Sequence, residues 1–153
     1  MQDFPHHYTV SAAGHHNGDI VLQSGRLPAL LTASPAEFGG PGDLWSPEAL
    51  LVGAVADCFV LTFRAIAGAS KLPWKSLECE VTGTLDRVNR IIQFTALTVR
   101  ATLRVPEGVD ADQARQLLVR AEQRCLITAS LKAEVHLEPV VDVVRDHAAH
   151  ARA

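Results

Sequence analysis

Cys58 lies inside a long apolar run, and a second cysteine, Cys125, follows far along the chain. A buried thiol with a distant partner points first to thiol redox chemistry. Reactivity needs thiolate character and access, whereas an ordinary core cysteine is a small, inert hydrophobe. Cys79 stands between Glu78 and Glu80 in a strand-like run and reads as a packing residue. Asp57 projects about 100° around a helix from Cys58, and a negative charge there would raise a thiol pKa rather than lower it.

Two other chemistries compete. Seven histidines and three cysteines are numerous enough for a metal site. No C-x-x-C pair or helical H-x-x-x-H pair exists, however, and the adjacent pairs His6-His7 and His15-His16 suit exposed loops, so no metal is expected. A non-catalytic dimer that holds a small ligand in an apolar pocket beside Cys58 is the alternative to an enzyme.

The elements that must position these thiols are legible in the spacing. Ser46 is a suitable N-cap, Pro47 suits the first helical position, and Glu48 favours the positive end of the helix dipole. A helix from about 46 to 68 is expected, stopped near Gly68. Its apolar residues cover nearly the whole circumference, as in a helix enclosed by protein, so a partner chain is expected to help wrap it. Upstream, residues 8 to 31 read as a strand meander. Residues 34 to 44, with Pro35 and Gly39-Gly40-Pro41-Gly42, read as a loop with neither helix nor strand.

Downstream, strict alternation from Ile91 to Val105 predicts a strand, paired with Leu77 to Leu85 through a turn at Asp86 to Arg90. Asp110 caps a second helix reaching about Arg124, in which Ala114, Leu117, Leu118 and Ala121 recur at helical spacing. A last strand spans about 133 to 144, with Pro139 marking it as an edge or bulged strand and Lys132 and His136 on its polar side. The tail from Asp146 to Ala153 is expected to fray. Cys125 opens a new turn after the second helix, where unpaired N–H groups would favour its own thiolate.

Length and charge bound the rest. A chain of 153 residues suits a single domain, able to remove roughly 68–70% of its unfolded surface from water. Three cysteines make an odd number, and the first eight residues are polar. A cytoplasmic protein with reduced thiols is therefore expected. A net charge of −3 leaves no footprint for nucleic acid or anionic lipid. Asp57 and Arg64 interrupt the apolar run from Ala49 to Ala67, which argues against a membrane span.

The segment Ser46-Pro47-Glu48-Ala49-Leu50-Leu51, followed by Ala54-Val55-Ala56-Asp57-Cys58-Phe59, resembles the first-cysteine helix of the OsmC/Ohr family, the osmotically inducible and organic hydroperoxide resistance proteins. Cys125-Leu126-Ile127 and Ser130-Leu131-Lys132 are similar to that family's second-cysteine segment, and the likeness extends from about Val10 to Val144. The resemblance implies an α+β OsmC-like fold, with antiparallel sheets wrapped around long central helices in an intertwined homodimer. It implies a thiol peroxidase acting on organic hydroperoxides without a cofactor. Cys58 would become a sulfenic acid, Cys125 would condense with it to a disulfide, and an external dithiol such as a lipoylated protein would reduce that bond.

Glu48 matches the family's catalytic glutamate, which holds an arginine beside the thiolate. At 1.5 Å per residue, Glu48 and Cys58 are separated by roughly 15 Å along one helix. If Glu48 serves a cysteine, it serves the one on the partner subunit. The family's arginine has no direct counterpart: the places that would hold it carry His15-His16-Asn17-Gly18 and Phe38. Arg26 is the substitute donor in the N-terminal meander, and His16 offers a weaker, pH-dependent charge. The cation matters because a thiol of pKa about 8.5 is only about 3% ionised at pH 7.

Overall fold

The computed structural model describes residues 3–145, so the expected fraying of 146 to 153 lies outside the described residues. The chain forms two compact units, one ending at Leu51 and the other beginning at Val52.

The first unit carries three short strands, β1 (Ser11–Ala13), β2 (Ile20–Gln23) and β3 (Leu30–Thr32), in an antiparallel sheet of that order. Ala12 faces Leu22, and Val21 faces Leu31. Gly25, at φ 53, takes the left-handed backbone in the turn between β2 and β3. The Pro/Gly-rich segment that follows is not wholly irregular. Ala36–Phe38 form a single 3-10 turn closed by the left-handed Gly39. A side chain at Gly40 would collide with the backbone carbonyl of Ser34, so the chain passes only as glycine. Thr32 then bridges Trp45 in parallel, and Ala33 N–H donates to the Trp45 carbonyl at 3.0 Å.

Helix α1 (Pro47–Ala69) starts in the first unit and continues into the second. The Ser46 hydroxyl accepts from Ala49 N–H at 3.1 Å and supplies one of the bonds that the first turn lacks. The helix ends at Ala69, next to the expected Gly68. Lys71, at φ 53, is the left-handed residue: its N–H donates to the Gly68 carbonyl and that of Leu72 to the Ala67 carbonyl, a Schellman closure with Leu72 buried beneath it.

The second unit is a three-stranded sheet, β4 (Ser76–Val88), β5 (Ile91–Pro106) and β6 (Glu134–Val144), with helix α2 (Ala111–Gln123) between the last two strands. Asp110 caps α2, its carboxylate accepting from Asp112 and Gln113 N–H at 2.8 and 3.2 Å. The excursion through α2 returns the chain alongside β5, so β6 runs parallel to it and this sheet is mixed rather than wholly antiparallel. β6 is an edge strand, where Pro139 costs no ladder bond on its outer side.

The β4–β5 hairpin is longer than the alternation suggests. Its turn is the pair Asn89-Arg90, both left-handed at φ 50 and 69, as a two-residue turn matched to strand twist requires. A bulge shifts the register so that Thr84 faces Ala96 while Leu85 faces Phe94. It breaks the continuous alternation and turns Phe94 to the core side, where its ring lies over Gly83.

The core lies between this sheet and the helices. Val55, Phe59, Phe63 and Ala67 of α1, Leu97, Val99, Ala101, Leu103 and Val105 of β5, and Ala114, Leu117, Leu118 and Ala121 of α2 are all buried. Each fully buried Phe, Leu or Val contributes about 1.5–3 kcal/mol. The opposite sheet face is polar, with Arg100 on Glu138 at 3.0 Å and Arg104 on Glu78 at 2.6 Å.

Helix α1 is covered only in part by its own chain. Its most apolar window has a mean hydropathy of 1.9, long and apolar enough by composition to cross a membrane, yet only 17% of that window is buried. One stripe of the helix packs on its own chain, and much of the remaining apolar circumference is uncovered.

Candidate functional site: a pair of thiols between helix and turn

Cys58 sits one turn before Thr62 on α1, and its sulfur lies 3.9 Å from the Thr62 hydroxyl. Across from it, α2 ends at Gln123 and the chain runs through Cys125 into a single 3-10 turn at Thr128–Ser130. Cys125 N–H donates to the Glu122 carbonyl at 3.1 Å, and its own carbonyl accepts from Ala129 N–H and the Thr128 hydroxyl, both at 3.1 Å. Those bonds clamp the residue at the junction and leave the N–H groups of Leu126 and Ile127 free to face α1. The Cys125 side chain and the backbone of Leu126 and Ile127 lie near enough to the Cys58 thiol to act on its acidity. Both cysteines are free thiols.

The two sulfurs are in unequal surroundings. Burial pushes the Cys58 pKa up, but the backbone of Ile127, the Cys125 thiol, the Thr62 hydroxyl and the backbone of Leu126 outweigh it, and the net shift is down from the ordinary cysteine value. Burial also raises Cys125. Thr128 opposes this, but the bond to Cys58 and the repulsion between two thiolates leave Cys125 above the ordinary value. This reverses the expectation that the open turn would favour Cys125: its N–H groups serve the neighbouring sulfur. Cys79, on β4, is pushed up to about 11 by burial and by the charge of Cys125.

Access is also uneven. Cys125 is 1% exposed, while the next residue, Leu126, is 76% exposed, and Cys58 is partly exposed. A reagent meets Cys58 and an apolar side chain at the surface, and meets Cys125 only through Cys58 or after local movement.

The remaining residues singled out by sequence belong to the first unit. Glu48 occupies the first turn of α1, and its Oε2 is buried without a hydrogen-bond partner. Arg26 is exposed in the turn between β2 and β3, and His16 is exposed in the loop after β1. Arg26 and Glu48 form no ion pair with one another. Thr62, Leu126, Ile127 and Thr128 were not among the sequence candidates. Thr62 was findable, because i+4 on a helix shares the face of Cys58; the backbone donors had no sequence signal. Among the described residues, no group of three or more His, Cys, Asp or Glu is gathered as a metal site.

The fold and site define an α+β protein built around a long helix and a reduced thiol pair. The family model described as OsmC-like protein matches residues 40–140. The chain belongs to this OsmC-like family. Among its relatives, it is 26% identical to the uncharacterized protein YmaD of Bacillus subtilis over 138 residues, covering 87% of this chain and 91% of the relative. It is 27% identical to peroxiredoxin OsmC of Escherichia coli, covering 81% and 90%. It is 29% identical to the organic hydroperoxide resistance protein of Xanthomonas axonopodis pv. citri, covering 75% and 79%. The structure of an OsmC-like protein of unknown function from Vibrio cholerae matches with a TM-score of 0.80 at 15% identity, covering 89% of this chain and all of the other. The fold is therefore OsmC-like, and the named relatives support a peroxidase-type role.

Proposed function

We propose that this protein is a thiol-dependent peroxidase that reduces organic hydroperoxides through Cys58 and Cys125. The Cys58 thiolate attacks the terminal oxygen of the hydroperoxide. The O–O bond breaks, the leaving alkoxide takes a proton from water to depart as the alcohol, and Cys58 becomes a sulfenic acid. The Cys125 sulfur then attacks the Cys58 sulfur, water departs, and a disulfide forms. An external dithiol, such as a lipoylated protein, reduces it by two exchanges and restores both thiols.

The observation that carries this reading is the nearness of the Cys58 and Cys125 thiols, each of which alters the acidity of the other, with the Cys58 pKa held below its ordinary value. The assignment of roles follows from the same asymmetry: the acidic, accessible thiol attacks and the buried, less acidic one resolves. Backbone and hydroxyl donors supply part of the stabilisation that an arginine gives elsewhere in the family.

The active form in this proposal is a cytoplasmic homodimer. The uncovered apolar circumference of α1 supports it, since so large an exposed apolar surface is a cost that a second copy removes. Glu48 acts on the partner subunit in this scheme, because one helix separates it from its own Cys58. Its buried, unpartnered oxygen supports a cation being held there, with Arg26 as the donor proposed.

Steady-state turnover of an organic hydroperoxide with a dithiol tests the proposal. Cys58→Ser is expected to abolish turnover, and Cys125→Ser to accumulate a Cys58 sulfenic acid trappable by dimedone. Absence of dithiol-dependent turnover in the wild-type protein would favour the non-catalytic ligand-binding dimer.

A further inference from the structure

Away from the thiols, the end of α1 and the last turn of α2 border a half-open cavity of about 220 Å³ lined by Ile66, Ala69, Ser70, Arg120 and Arg124. Arg120 and Arg124 are one turn apart at i and i+4, so both guanidiniums lie on the same face of the chain as it leaves α2, where like charges repel. Among the described residues neither arginine joins an ion pair, as is also true of Arg26, Arg64, Arg87 and Arg90.

Ser70 adds a third donor. Its N–H closes α1 on the Ile66 carbonyl, but its hydroxyl makes no hydrogen bond among the described residues. The helix dipole of α2 accounts for one base in its last turn. Both bases line the same cavity as Ser70.

The lining specifies a ligand. Two guanidiniums and a hydroxyl, with no carboxylate, ask for an anion with at least two acceptor oxygens. Ile66 and Ala69 ask for an aliphatic portion. The volume falls below the roughly 300 Å³ at which drug-sized pockets begin, so the aliphatic part is short. Carboxylate and phosphate share the required oxygens. The C-terminal end of α1 carries partial negative charge, which penalises a doubly charged phosphate more than a singly charged carboxylate.

We propose that the cavity between the ends of α1 and α2 is a binding site for a short-chain aliphatic carboxylate, clamped by Arg120 and Arg124. The site is separate from the thiol pair and does not depend on peroxidase activity.

Isothermal titration of the full-length protein with butyrate, inorganic phosphate and butylamine tests this. Saturable butyrate binding is expected, with weaker phosphate binding and none for butylamine. Arg120→Gln combined with Arg124→Gln should weaken butyrate at least tenfold, and Ser70→Ala by a few fold, while Cys58→Ser leaves it unchanged. The absence of saturable butyrate binding, or equal affinity in the double arginine variant, would overturn the proposal. Phosphate binding as tightly as butyrate would overturn the carboxylate assignment, and loss of butyrate binding in Cys58→Ser would move the ligand to the thiol site. A circular dichroism spectrum matching wild type shows that each variant is folded.

Discussion

Replacing Thr62 with valine removes one donor from the Cys58 sulfur while keeping the side-chain shape. The hydroxyl lies 3.9 Å from that sulfur, a long contact even for sulfur. Hydrogen bonds to charged groups contribute about 1.5–3 kcal/mol, and for a contact this long we take about 1 kcal/mol. With 1.4 kcal/mol per tenfold, thiolate at neutral pH falls about fivefold. The sign follows from the chemistry: the donor stabilises the anion, so its loss raises the thiol pKa and moves the rate–pH curve to higher pH. Peptide-resolved alkylation of Cys58 by iodoacetamide between pH 5 and pH 10 reads this directly. Below the inflection, Thr62→Val should react about fivefold more slowly than wild type, with Thr62→Ser in between and all three converging at high pH. Superimposable curves for wild type and Thr62→Val would refute the claim that the Thr62 hydroxyl contributes to the acidity of Cys58.

Further outcomes are expected elsewhere in the molecule. With its pKa near 11, Cys79 is only about one part in a thousand ionised at pH 8, so it should alkylate about 100-fold more slowly than a thiol at 9.0 and be the last of the three to react, as peptide mapping checks. Asp110→Ala removes a carboxylate that caps two N–H groups and should cost about 1 kcal/mol, lowering Tm by roughly 2–4 °C in calorimetry. Gly83→Val forces a methyl into the Phe94 ring and Val52, 2.7 and 2.8 Å from the new Cβ, and should destabilise by about 1–3 kcal/mol in denaturant unfolding. Glu48→Gln should lower peroxidase turnover roughly tenfold, about 1.4 kcal/mol of barrier, because the neutral amide no longer holds the cation proposed beside the thiolate.

Helix starts were the most legible part of the fold, because Ser46-Pro47-Glu48 and Asp110 act through local bonds that a sequence states outright. Ends and turns were harder. Gly68 marked the end of α1 to within a residue, but the closing left-handed residue is Lys71, and that choice depends on Leu72 finding a buried seat. The hairpin turn at Asn89-Arg90 and the bulge near Thr84 are decided by pairing between strands, which periodicity along one strand does not contain. The direction of β6 was likewise invisible, since alternation is the same in parallel and antiparallel strands. At the site, the type and order of Cys58 and Cys125 suggested their association. The electrostatics were misjudged because the donors near Cys58 are backbone groups of Leu126 and Ile127, which carry no residue signature.

The central claim is most directly tested by treating the reduced protein with one equivalent of cumene hydroperoxide, quenching with acid and mapping its disulfides by mass spectrometry. The account predicts a single bridge between Cys58 and Cys125, with Cys79 still a free thiol. A product in which Cys58 stays unoxidised, or pairs with Cys79 instead, would contradict it.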